Sequence, residues 1–281
     1  MIEINIMQNI NFWDAHTHIH FRNYDEDRDE ALGRAFSAGV KMITVGTQAS
    51  TSEGAIELAK KYPGQVFAAV GFHPAHFASE WHHDENEQED PVPEIFDKDK
   101  IKELALAPEA VAIGECGLDY FRVSDDETKE KQRAGFIEQV YVSHEIGKPL
   151  MIHCREAFGD LIEILEAHRD YLLEYPGVIH FFSGTAEEAE ALLSLGFSFT
   201  FGGVITFARD YDEAIKFLPL ENILSETDAP YVAPVPYRGK RNEPSFVVEV
   251  VKKLAELKGV SLEEMASAID GNVRRIFKIE V

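Results

Sequence analysis

The residues in this chain best able to do chemistry are imidazoles and carboxylates that close short apolar runs. Asp14-Ala15-His16-Thr17-His18 ends the first such run. In a strand, residues i and i+2 face the same side, so His16 and His18 project together and can chelate one cation. A lone His-x-His pair serves equally well as a hydrogen-bonded structural feature, so it needs company. Glu115 ends Ala112-Ile113-Gly114-Glu115, His153 ends Leu150-Met151-Ile152-His153, His180 follows Val178-Ile179, and Asp228 follows Leu224-Ser225-Glu226-Thr227. A carboxylate in an apolar strand is costly unless it meets a cation or a donor. Four histidines and two carboxylates make an inventory for two divalent ions, and such mixed donors suit Mg, Mn or Zn.

Those side chains must be brought together by the elements that carry them. Eight apolar strand candidates run Phe12–His18, Val40–Gly46, Val66–Gly71, Val111–Gly117, Lys148–His153, Val178–Phe182, Phe197–Phe201 and Ile223–Thr227. Amphipathic stretches lie between them, among them Arg28–Ala38, Thr51–Lys61, Thr128–Ile146 and Glu187–Leu195, with apolar residues recurring at three and four. Gly39, Gly147 and Gly196 stand where helices should stop in the left-handed conformation. Glu115, His153, His180 and Asp228 are separated by 38, 27 and 48 residues, or one, one and two βα units. Each polar residue is therefore expected at the same C-terminal rim of an α/β fold. No linker or repeat divides the chain, which predicts a single-domain (β/α)8 TIM barrel over 1–281 with an extra C-terminal helix at Ser261–Phe277.

Composition narrows the partners. Fifty acids against 27 bases give a formal net charge of −23, so no broad cationic surface exists to grip long duplex nucleic acid. Met1–Trp13 lacks a basic segment followed by an apolar core, and no run of about 18 apolar residues occurs. The chain is expected to be soluble, unprocessed and cytoplasmic, with no membrane association and no obligate protein partner. Two cysteines cannot form a disulfide framework, which fits a reducing compartment. The insertion at 77–93 contains five acids in the seven residues 84–90 and is expected to be a solvated loop on the catalytic face.

Taken as a set, these motifs resemble the TatD-type metal-dependent hydrolases, within the amidohydrolase-like barrels. The likeness rests on Asp-x-His-x-His at 14–18, Gly-x-His-Pro at 71–74, Gly-Glu-x-Gly-Leu-Asp-Tyr at 114–120, His-x-Arg-x-Ala at 153–157, His-x-Phe-Ser-Gly at 180–184 and Glu-Thr-Asp-x-Pro-Tyr at 226–231. It implies a dinuclear site in which His16, His18 and Asp228 hold one ion, His153 and His180 hold the other, and Glu115 bridges, where many relatives of the superfamily use a carboxylated lysine. Ala15 departs from the Ser or Thr often found there, and the acidic segment is longer than expected; neither removes a ligand.

Two ions about 3.5 to 4 Å apart lower the pKa of a shared water toward 7. Asp228 is then the candidate general base, able to take the proton and return it to the leaving group, with Glu115 beside it in the catalytic centre. Arg155 and the cluster Arg238, Lys240 and Arg241 match phosphate oxygens, with His73 and Tyr231 as further substrate contacts. Against this, loop arginines often pair with acids and loop tyrosines often only pack. The expected activity is a deoxyribonuclease or phosphodiesterase acting on short or single-stranded ends. An ester or amide hydrolase, such as an aminoacyl-tRNA deacylase, is the alternative, and a non-catalytic scaffold using the acidic loop is a third. Cys116, Cys154, Trp13, Phe181 and Phe199 are assigned to packing.

Overall fold

The computed structural model describes residues 10–77, 84–88, 94–121, 123 and 125–280. Eight parallel strands follow one another in ring order: β1 (Phe12–Thr17), β2 (Val40–Val45), β3 (Val66–Val70), β4 (Ala110–Asp119), β5 (Leu150–Arg155), β6 (Gly177–Ile179), β7 (Ser198–Phe201) and β8 (Ile223–Ser225). Apolar residues on both faces suit strands covered by helices outside and side chains inside. Trp13, Met151, Phe197 and Phe199 are fully buried, each such side chain contributing about 1.5 to 3 kcal/mol. The strand and helix assignments read from sequence correspond to these elements, and the family of folds is the (β/α)8 barrel.

Closure falls between β8 and β1. The amide of Asp228 donates to the His16 carbonyl (2.9 Å), and the amide of His18 donates to the Ala229 carbonyl (2.8 Å). Side chains reinforce the seam. Asp14, wholly buried, accepts from the Thr227 amide at 2.8 Å and the Thr227 hydroxyl at 2.5 Å, while Ser225 donates to the Trp13 carbonyl at 2.7 Å. A register shift between Asp14 and Thr17 in the β1–β2 pairing turns the end of β1 toward the barrel mouth.

Helices begin and end where polar caps satisfy their free backbone groups. Asp97, Asp125, Thr185 and Ser261 accept backbone amides at helix starts. Gly39 and Gly147 adopt φ of +75° and +71° at helix ends, conformations that cost an L side chain energy. The helix Leu262–Phe277 packs against β1 and β8, its Asp270 accepting the Trp13 indole N–H at 2.7 Å. Two boundaries differ from expectation. β4 runs on to Asp119 because its pairing with β5 continues through Asp119 opposite Arg155. β6 stops at Ile179, so His180 lies just beyond the strand rather than within it, although its amide still donates to the Ile152 carbonyl at 2.8 Å.

Candidate metal centre

The C-terminal ends of β1, β4, β5, β6 and β8 converge on the carboxylate of Glu115, which is 4% exposed. Its two oxygens face two different groups. Oε2 lies 3.4 Å from His16 Nε2 and 3.7 Å from His18 Nε2; those nitrogens are 3.1 Å apart and lie 3.8 and 3.4 Å from Asp228 Oδ1. Oε1 lies 3.0 Å from His153 Nδ1, 3.1 Å from His180 Nε2 and 3.2 Å from His73 Nε2. The six residues singled out as a metal inventory are thus brought together, and His73 joins them. The sequence places His73 among substrate contacts, and the loop after β3 turns its ring onto Glu115.

Neighbouring groups fix the rings. His18 Nδ1 lies 2.7 Å from the Val45 carbonyl, which can only accept, so Nδ1 carries a proton and the neutral ring turns its Nε2 lone pair to the cluster. His153 Nε2 lies 3.0 Å from Asp119 Oδ2, and His180 Nδ1 lies 3.3 Å from Glu226 Oε1. Glu226 is wholly buried and also accepts the Thr200 hydroxyl. Asp119 and Glu226 were missed in the sequence, yet a signal existed: Asp119 is four residues after Glu115 in one strand, on the same face.

The donor set fits divalent cations. His16 Nε2 and His18 Nε2, 3.1 Å apart, share one proton in one tautomer and both turn lone pairs toward a cation in the other, and His16 Nδ1 is buried with no hydrogen-bond partner among the described residues. Among the described residues, no lysine or arginine lies within ion-pair distance of Glu115 or Asp228, so the buried Glu115 and the half-buried Asp228 are left with imidazoles alone. Burial raises the cost of charge on Glu115, but His73, His180, His16 and His153 outweigh it and hold the carboxyl well below its ordinary range. Burial pushes His16 down, toward the neutral form a metal requires; it also opposes charge on His18, His153 and His180, but there the neighbouring carboxylates outweigh it and raise the imidazoles.

The remaining candidates divide. Arg155 is exposed at the end of β5, its guanidinium 3.5 Å over the Phe121 ring. Arg238 is exposed, lies 4.0 Å over Phe207 and donates to the Ala233 carbonyl. Arg241 is committed to structure: it forks onto Asp27 at 2.6 and 2.8 Å and covers Tyr24. Tyr231 donates its hydroxyl to Asp84 at 2.6 Å, and Tyr237 stacks flat on Phe246 at 3.7 Å. Cys116 and Cys154 are buried, as are Trp13 and Phe199, whereas Phe181 is only half-buried because a left-handed backbone (φ +46°) swings it toward the mouth.

The acidic segment departs from the expected solvated loop. Residues 78–83 and 89–93 lie outside those described, but 84–88 pack onto the rim. Glu87 accepts the Thr47 hydroxyl and lies 3.7 Å from His76 Nε2; its carbonyl and that of Asn86 take the amides of Arg22 and Asn23. Partners from the β1, β2, β3 and β8 loops thereby immobilise carboxylates that composition alone assigns to water.

A (β/α)8 barrel with a carboxylate set between two imidazole groups at its C-terminal rim belongs to the metal-dependent hydrolase barrels. Residues 13–278 match the TatD related DNase family, and the chain belongs to it. Metal-dependent hydrolase YabD of Bacillus subtilis is 36% identical over 270 residues, covering 95% of this chain and 99% of that one. The 3'-5' ssDNA/RNA exonuclease TatD of Pantoea vagans is 37% identical, covering 91% and 95%. The crystal structure of YJJV, a TatD homologue from Escherichia coli K12, superposes with a TM-score of 0.82 at 31% identity, covering 96% and 98%. Among the described residues, no helix is long and apolar enough to cross a membrane.

Proposed function

We propose that this protein is a two-metal nuclease that hydrolyses phosphodiester bonds at short or single-stranded nucleic-acid ends. The observation that carries the reading is Glu115, whose separate oxygens face separate groups of nitrogens. In this reading His16, His18, Asp228, His153, His180 and Glu115 would hold two divalent ions, Glu115 being shared, with His73 standing within reach. Bound there, Mg, Mn or Zn ions supply Lewis acidity and lower the pKa of a shared water toward 7.

The chain's own residues do the rest. Asp228, held by its amide on the His16 carbonyl and by His18 at 3.4 Å, is partly open to the mouth and accepts the nucleophile's proton, then returns it to the leaving oxygen. Asp119 holds the ring of His153 through a hydrogen bond, and the Glu226 carboxylate stands 3.3 Å from Nδ1 of His180 at ion-pair distance. Arg155 and Arg238 present cationic forks at the rim for phosphate oxygens. The acidic exterior disfavours long duplex, and the exonucleases among the relatives support a single-stranded substrate. Buried free thiols at Cys116 and Cys154 fit a cytoplasmic location.

The test is an assay of metal-stripped and metal-reconstituted protein on end-labelled single strands, blunt duplex and an aminoacyl-tRNA. Metal-dependent shortening of the single strands is expected. Deacylation of the aminoacyl-tRNA without oligonucleotide cleavage would assign the same centre to a carboxyl ester instead.

A further inference from the structure

Among the described residues, exposed aromatic rings fall at both ends of the barrel. Tyr171, Tyr175 and Phe217 lie on segments that lead into strands, whereas Phe121 and Phe207 follow the C-terminal ends of β4 and β7, on the face of the metal centre. Phe121 is 42% exposed and Phe207 41%. Each carries an exposed arginine over its ring, the guanidinium carbon of Arg155 3.5 Å and that of Arg238 4.0 Å from the ring centroid. Among the described residues neither arginine has a carboxylate within 4.0 Å, although the chain has fifty acids. An exposed phenyl ring loses free energy to water, and a guanidinium lying on it keeps its N–H edge available.

Position ties both pairs to the centre. Asp119 accepts the Phe121 backbone amide at Oδ1 (3.0 Å) while its Oδ2 meets His153 Nε2, so one carboxylate fixes both the imidazole and the backbone that carries the phenyl ring. The Phe207 loop is fastened to the β8 loop by the Val235 amide on the Thr206 hydroxyl at 2.9 Å. β4 and β7 stand three strands apart in the ring, with His153 on β5 and His180 after β6 between them.

We infer that Phe121–Arg155 and Phe207–Arg238 are two stacking platforms that seat the unstacked bases of a single-stranded polynucleotide on either side of the metal centre. A base continues each stack on the outer guanidinium face, and the N–H edge takes the adjoining phosphate. Phe121 and Phe207, which seat the two guanidinium groups, are thereby specificity-determining residues: paired bases of a duplex cannot offer a free face to either stack. This inference rests on the nuclease reading above.

The experiment measures fluorescence anisotropy of a labelled, cleavage-resistant phosphorothioate single strand with the metal-loaded protein, alongside hydrolysis of a single-stranded oligonucleotide and of methyl nitrophenyl phosphate. Phe121→Leu and Phe207→Leu each weaken single-strand binding about tenfold, and each loses at least fivefold more kcat/KM on the oligonucleotide than on the small diester. Phe121→Trp, which keeps a stacking face, retains wild-type binding. Leucine variants that bind the single strand as wild type does, or that lose equally on both substrates, overturn the platforms. Failure of the wild-type protein to cleave any phosphodiester sinks the nuclease reading instead, while the anisotropy, which needs no turnover, still judges the platforms.

Discussion

Asp119 Oδ2 lies 3.0 Å from Nε2 of His153, on the side of the ring away from Glu115. A carboxylate behind an imidazole fixes the ring and raises the basicity of the nitrogen in front. Asp119→Ala therefore weakens metal binding about 10- to 100-fold, while Asp119→Asn, which keeps the shape and loses the charge, falls between. Competition against a chromogenic chelator reads the affinity. Equal affinities in all three proteins would show that Asp119 does not support the centre.

Glu115 meets His16 and His18 through one oxygen and His73, His153 and His180 through the other. Glu115→Gln removes the shared charge and half of the acceptor capacity. Metal content by mass spectrometry should drop below one ion per chain after dialysis, with hydrolysis falling by at least 10²-fold on the scale of a lost electrostatic contribution to the transition state. Two ions retained at wild-type affinity would contradict the bridging geometry.

Metal removal should cost stability as well. A ligand that binds only the folded chain stabilises it by RT ln(1 + [L]/Kd), about 4 kcal/mol at a thousandfold excess over Kd. Chelator should therefore lower the melting temperature of reconstituted protein by several degrees, and re-addition of metal should restore it. An unchanged Tm at saturating metal argues that no ion is held by the fold.

How much of this was legible in the sequence depends on whether a signal is local. His16, His18, Glu115, His153, His180 and Asp228 stood out because each is a polar group ending an apolar run, and burial makes such exceptions costly. Asp119 obeyed the same rule by strand periodicity but sat behind Gly117-Leu118 and drew no notice. His73 was seen, yet its approach to Glu115 depends on a turn after β3 that apolar patterning does not describe. Arg241 and Asp27 meet across 214 residues, and no spacing rule anticipates that fork. The acidic segment was misjudged for the same reason: the hydroxyls of Thr47 and Tyr231 that anchor Glu87 and Asp84 come from distant loops.

Tyr231→Phe isolates one of those anchors. It removes the hydroxyl that donates to Asp84 and leaves the ring edge-on to His18. Loss of a hydrogen bond to a charged acceptor costs about 1.5 to 3 kcal/mol, discounted here because Asp84 is only part-buried. Hydrogen exchange at 84–88 should accelerate severalfold while exchange in β1 and β8 stays as it was. Unchanged protection at 84–88 would mean that the contacts of Glu87 and Asn86 suffice.

The bond from Trp13 to Asp270 joins the first strand to the final helix, and it makes stability depend on pH. Burial opposes charge on Asp270, but Arg274 at 2.7 Å and the indole N–H outweigh it and lower its pKa. A carboxyl depressed in the folded state stabilises that state above the unfolded pKa, near 3.9, and loses the contribution as pH falls through the folded value. Asp270→Asn should therefore be less stable than wild type by about 1 to 2 kcal/mol at pH 7, with the gap narrowing as pH drops below about 4. Urea melts of Trp13→Phe, Asp270→Asn and the double variant across that range separate the two partners: the coupling energy between them should shrink along with the gap. A coupling that is flat in pH would assign the contact to packing of the indole and not to the charge on Asp270.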